Sequence, residues 1–173
     1  MIVNERNNRA ERILHAAMQM LTAARTAPKG RGADTLEVAL LTGDDLERLA
    51  AEMDRLVAEE GKAPFFSRDA GCLRKSEAVI LIGSRNIPLG LNCTRCGFPS
   101  CGNKPKEVPC VFNNVDAGIA IGSVTAMAAQ MHIDNRVMFS AGVAAESLSL
   151  MPEVRGICAI PLSCSSKSPF FDR

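Results

Sequence analysis

A chain of 173 residues with 20 Lys plus Arg against 19 Asp plus Glu has a formal charge of +1, too little to gather nucleic acid or an anionic membrane surface by long-range attraction. Its length suits one hydrophobic core, so a single domain over residues 1–173 is expected. Hydrophobic residues at 47% and charged residues at 23% exclude a disordered or fibrous chain, and seven Phe with no Trp or Tyr withhold the aromatic platforms on which single-stranded nucleic acid stacks.

The N-terminal residues Met1 to Ala10 lack the apolar core of a secretory signal, which makes the reducing cytoplasm the expected compartment and disfavours a disulfide framework. From Asn8 to Ala24, the residues Ile13, Ala16, Ala17, Met20, Leu21 and Ala24 mark one face of a first helix. It stops in a loop from Thr26 to Gly32, where Pro28 cannot donate a backbone hydrogen bond. Leu36 to Leu41 is short and aliphatic, as a buried strand is. Asp44 with Glu47 forms the pattern of a capping box, opening a second amphipathic helix that ends at Gly61.

Lys62 to Lys75 is mixed in character, and Glu77 to Gly83 reads as a central strand covered on both faces. A cysteine-rich loop follows, covering about 91–112. Between Asn113 and Met131 apolar and small residues lie all round the helical wheel, so a buried central helix is expected, packed closely against another backbone at Gly118 and Gly122. The weakly polar run Val115 to Met131 falls short of the roughly 20 apolar residues of a membrane span. Arg136 to Ser140 and Gly156 to Pro161 look like two further strands, with a short helical turn around Ala144 to Leu150 between them.

The cysteines are the one compositional excess. Of seven, Cys93, Cys96, Cys101 and Cys110 fall in a C-x2-C-x4-C-x8-C run. Four thiolates so close would repel one another as bare anions, whereas a metal centre neutralises them and crosslinks the loop. Gly97 and Gly102, each directly after a candidate ligand, let the backbone turn and point amides at sulfur. Neither His15 nor His132 lies near the loop, and the spacing differs from two separated C-x2-C pairs, so an iron–sulfur cluster of the 4Fe-4S type is favoured by ligand softness. Zinc and redox-switching thiols remain the alternatives. Cys158 reads as a small core residue, and Cys72 and Cys164 take the same bland reading, with a partly exposed Cys164 thiol lowered in pKa by a nearby cation as the alternative.

The Cys93 to Cys101 run, Asp116 to Ser123, Asp134 to Met138 and the terminal Lys167 to Arg173 together resemble a family of uncharacterised bacterial and archaeal ferredoxin-domain proteins. A second resemblance is architectural. The helix ending in Ala24-Arg-Thr-Ala-Pro28, the strand Leu36 to Leu41, the helix after Asp44 and the small-residue helix from Asp116 are similar to the nitroreductase fold. That likeness implies an α+β class with a mixed sheet flanked by helices, the cysteine loop being inserted before the central helix. It also implies a homodimer built on that helix, with FMN at the subunit interface. Arg6, Arg9, Lys29 and Arg31 are the candidate partners for a flavin phosphate.

Other chemistry has less support. Gly30-Arg-Gly32 precedes a strand and lacks the third glycine of a dinucleotide fingerprint, and no Walker loop is present. Glu5, Glu11, Asp44, Asp45, Glu47, Glu52 and Asp54 are expected on solvated helix faces, His15 as a partly buried packing residue and His132 beside a helix C-terminus. Asn113 and Asp116 are expected to cap the central helix, and Arg95 either faces solvent or supports a reduced cluster or docks a negative redox partner. The expected function is an iron–sulfur redox protein serving a partner protein or a small-molecule acceptor, flavin-linked if FMN binds. The alternative is a non-enzymatic interaction module with a structural metal.

Overall fold

The computed structural model describes residues 2–171; Met1 and the Asp172-Arg173 end of the terminal motif lie outside the described residues. Helix α1 (Arg9–Thr26) leads through a short 3-10 turn to strand β1 (Leu36–Thr42), helix α2 (Asp44–Glu60), helix α3 (Phe65–Leu73) and strand β2 (Ala78–Arg85). Beyond the cysteine loop come α4 (Val111–Gln130), β3 (Asp134–Asn135), α5 (Phe139–Ser147) and β4 (Val154–Ser163). The strands lie in the order β1-β2-β4-β3. Every pairing is antiparallel, so the expected mixed sheet is corrected to an antiparallel one while the α+β class stands.

The sheet separates two cores, and β2 shows how. Its Val79 and Leu81 point to one face, where Leu49, Met53, Phe66, Leu73 and Ala144 of α2, α3 and α5 cover them. Its Ala78, Ile80 and Ile82 point to the other, against Ile13, Ala17 and Met20 of α1 and Ala120 and Val124 of α4. The period of two sends alternate side chains to opposite layers, and two covered faces turn an alternating pattern into a continuous apolar run.

Differences from the sequence expectations have local causes. Asp44 is the first residue of α2 instead of its cap, and no side chain caps Gly43; Glu47 instead forks Arg74 at the end of α3, with contacts of 3.0 and 3.1 Å. The acidic first turn still complements the helix dipole. Helix α3 occupies the stretch read as mixed, because Phe66, Ala70 and Leu73 face the core while Asp69 hides a carboxylate among them, accepting from Ser140 at 2.6 Å and from Arg68. The strand expected at Arg136 to Ser140 shrinks to a Met138–Ala159 bridge beside β3, and α5 begins at Phe139. Gly142 decides that arrangement: a Cβ there would sit 1.7 Å from the Ile157 carbonyl oxygen of β4.

Helix α4 is buried on one side only. Asn113, Asp116, Ala117, Ala120, Val124 and Ala128 face inward, but Val115 and Ile119 are exposed, and nothing lies within 4 Å of a Cβ built at Gly118 or Gly122. The close backbone packing expected at those glycines is absent within the described chain, since α4 belongs to an outer layer. Glu52, expected in solvent, is buried at 9% exposure, accepting from Arg55 and from Ser147 at 2.6 Å. His15 is exposed rather than packed, and His132 is exposed just past α4 at φ 55°. No helix among the described residues is long and apolar enough to cross a membrane.

Candidate functional site

Strand β2 ends at Arg85 and α4 starts at Val111, so residues 86–110 form one long connection. A loop of that length needs its own anchors, because its backbone groups have no ladder to join. Asn86 at its start donates to the carbonyls of Lys106 at 2.7 Å and Val108 at 3.2 Å, closing the loop on itself. Asn113 from α4 donates to the Ile87 carbonyl and to Thr35 Oγ1, both at 3.2 Å, and Thr35 shares a 2.8 Å hydrogen bond with Ser84. Asp116, buried one turn later, accepts from the Gly30 amide at 3.0 and 3.1 Å. Neither residue caps α4; both tie the base of the loop to the end of α1 and the start of β1, contrary to the capping expectation.

Within the loop, Asn92 is paired to Cys101 in both directions. Its side-chain oxygen accepts from the Cys101 amide at 2.9 Å, and its own amide donates to Cys101 Sγ at 3.4 Å. An amide aimed at sulfur stabilises negative charge there. This donor is neither of those expected from the glycines. Gly97, at φ 85°, does serve the turn, its amide donating to the Thr94 carbonyl at 2.8 Å, whereas Gly102 has no left-handed conformation to explain it.

These constraints bring Cys93, Cys96, Cys101 and Cys110 onto the wall of one narrow cleft, completed mainly by Pro88, Leu89, Leu91, Phe98, Val111 and Phe112. Cys110 is buried and the other three half-buried. Among the described residues, no group of three His, Cys, Asp or Glu side chains is placed to hold a single metal ion. Lys104 also lines the cleft at 8% exposure, donating to the carbonyls of Pro105 and Val108. Arg95 is exposed.

The four cations named for a flavin phosphate do not form one cradle. Helix α1 stands between Arg6 and Arg9 at its start and Lys29 and Arg31 beyond its end. Lys29 Nζ donates to the Arg25 and Ala27 carbonyls, closing the helix C-terminus, and Arg31 donates to the Leu89 carbonyl at 2.6 Å, bracing the cysteine loop. Arg6 is exposed. Arg9 lines a separate open cleft with Lys75, Glu77, Ser165, Lys167 and Ser168, and its Nε is buried there without a hydrogen-bond partner. Lys75 and the serines were not singled out in the sequence, since only the meeting of the β4 end with the α1 start assembles them.

All seven cysteines are free. Burial pushes the thiol of Cys72 up, and does the same for Cys158. Cys164 moves up as well, from burial and the Glu77 carboxylate, which outweigh Arg12 and Arg9; the alternative of a lowered value for it is thereby corrected.

Residues 106–173 match the family described as uncharacterized protein containing a ferredoxin domain, a segment that includes Cys110 but stops short of the other three loop cysteines. An uncharacterized protein of Archaeoglobus fulgidus is 38% identical over 183 aligned positions, covering 100% of this chain and 98% of that protein. A nitroreductase family protein from Clostridium novyi superposes with a TM-score of 0.61 at 12% identity, over 91% of this chain and 76% of its own. A nitroreductase with bound FMN from Desulfitobacterium hafniense gives 0.59 at 16%, over 92% and 82%. The FMN-dependent nitroreductase NfnB from Mycobacterium smegmatis, in complex with NADPH, gives 0.58 at 12%, over 90% and 80%. At such identities these likenesses establish the fold alone. On the strength of the archaeal relative and the matched C-terminal segment, the chain belongs to the family of uncharacterised proteins containing a ferredoxin domain (DUF2148), built on the nitroreductase fold.

Proposed function

We propose that this protein is an iron–sulfur redox protein whose cysteine loop holds a 4Fe-4S cluster through Cys93, Cys96, Cys101 and Cys110, passing electrons to a partner protein or a small-molecule acceptor. The observation that carries the reading is that four thiols spread over eighteen residues of chain line a single cleft. The donor set fits the group. Four soft sulfur ligands line one cleft, the Asn92 amide is aimed at one sulfur, and Leu89, Phe98 and Phe112 supply apolar wall.

Bound there, the cluster supplies one-electron transfer. The chain's part is to fix the thiols through the Asn86, Asn92 and Asn113 anchors and to hold the loop over the end of α1 through Asp116 and Arg31. A flavin-linked form of this reading is favoured by the Arg9 cleft: Arg9, whose Nε has no hydrogen bond and lies 3.9 Å from Glu5, stands with Lys75, Lys167 and two serine hydroxyls against one carboxylate, Glu77, a set that suits the phosphate of FMN better than the scattered Lys29 and Arg31 do. The homodimer belongs to the same reading, a second copy covering the exposed Val115, Gly118, Ile119 and Gly122 stripe of α4. Retention of seven free thiols suits a reducing compartment such as the cytoplasm.

The test is anaerobic purification followed by an absorption spectrum and assay of iron, sulfide, zinc and flavin on one sample. About four iron and four sulfide per chain, with broad absorption that bleaches on reduction and is lost in Cys96→Ser, is the expected result. Zinc alone in colourless protein would overturn the redox reading and leave a structural metal module.

A further inference from the structure

We infer that Lys104 supplies the counter-charge to an anionic group in the cysteine cleft and raises the reduction potential of the cluster proposed above, a reading on which this inference rests. Lys104 is 8% exposed although it is a lysine, the residue type most reluctant to leave water without a partner. Its Nζ meets two neutral acceptors, the Pro105 carbonyl at 3.1 Å and the Val108 carbonyl. They satisfy hydrogen bonds without cancelling charge. No carboxylate lines the cleft among the described residues, where every other wall residue is apolar, a hydroxyl or a thiol.

A buried lysine held by neutral carbonyls alone has no counter-ion among the described residues, so its place in the wall that carries four cysteines points to an anionic occupant. An iron–sulfur cluster is such an anion, because its four thiolates outnumber the charge of its core, and it gains one more negative charge on accepting an electron. The fixed ammonium favours that more negative state, and low dielectric between apolar walls strengthens the effect. The electron comes from an external one-electron reductant. Arg95 and Lys106 differ in kind, since both are exposed and screened by water. Lys104 is a positioning and tuning residue, not a ligand.

The experiment uses full-length protein purified anaerobically as wild type, Lys104→Gln, Lys104→Arg and the exposed control Lys106→Gln. Iron and sulfide are assayed first, and dithionite titration followed by electron paramagnetic resonance then gives the reduction equilibrium. The expected result is an intact cluster in Lys104→Gln with its reduction equilibrium constant lowered about tenfold, which is ~59 mV for a one-electron couple. Lys104→Arg and Lys106→Gln stay within about twofold of wild type, a shift of ~18 mV on that scale. Loss of iron from Lys104→Gln but not from Lys104→Arg supports the counter-charge equally, whereas loss from both overturns it in favour of packing. An intact cluster with an unshifted equilibrium in Lys104→Gln overturns the role of Lys104 and leaves the cluster standing. Folded wild-type protein without iron or sulfide overturns the cluster reading, and this one with it.

Discussion

The sandwich around β2 and the loop from 86 to 110 are held by different forces. In the sandwich, ladder hydrogen bonds and apolar burial on both faces act through dozens of interchangeable contacts, with Val79, Ile80, Leu81 and Ile82 all fully buried. In the loop, a few polar side chains each hold a particular carbonyl or amide: Asn86, Asn92 and Asn113. Distributed burial tolerates local loss, whereas a loop resting on single hydrogen bonds loses its shape with any one of them.

The comparison can be broken first at Gly142, where helix and sheet meet backbone to backbone. Gly142→Ala forces the new methyl against the Ile157 carbonyl, so α5 must shift; a loss of about 3 kcal/mol in chemical denaturation is expected, and an unchanged midpoint would refute the close approach. In the loop, Asn113→Ala leaves the Ile87 carbonyl and Thr35 hydroxyl without their donor at a cost of about 1–3 kcal/mol. Its sharper signature is faster proteolysis between 86 and 110 with the sheet's slow amide exchange retained; equal loosening of β2 would show that loop and sandwich are one unit.

Acid sharpens the contrast on the side away from the loop. Hydrogen bonds from Arg55, opposed by burial and aided by Ser147, hold the Glu52 carboxyl below its ordinary value of 4.5. A depressed pKa contributes stability that is present above the unfolded value and lost as pH falls through the folded one, so the native protein should weaken below about pH 4.5. Glu52→Gln should flatten that acid limb while leaving thiol accessibility in the loop unchanged; an identical pH profile would remove Glu52 from the account. The smallest effect concerns the thiols. In metal-free protein at pH 8, Cys72, Cys158 and Cys164, each raised by burial, should alkylate more slowly than Cys93 and Cys96, as peptide mapping would show, and the reverse order would contradict their burial.

Part of this architecture is readable without coordinates. Helices α1 and α2 declare themselves through an apolar stripe with a period of 3.6, β2 through an uninterrupted aliphatic run, and the cysteine loop through spacing alone. Helix α3 escapes the same reading because buried Asp69 interrupts its apolar face, and its acceptance of the Ser140 hydroxyl depends on a residue 71 positions further along the chain. Residues 136–140 mislead for the reverse reason, since β-forming Val137 and Phe139 flank a segment that only Gly142 and the nearby β4 backbone turn into a helix start.

The sequence by itself determined the elements whose stabilising pattern is local, and the identity and order of the four loop cysteines, because periodicity and spacing are properties of neighbouring residues. Tertiary structure alone decided which polar groups are buried and what they meet. It carried Glu52 and Lys104 out of solvent, turned Asn113 and Asp116 from helix caps into anchors, and set Arg6 and Arg9 apart from Lys29 and Arg31. Those outcomes depend on desolvation and on partners far away in the chain, which no window of sequence contains.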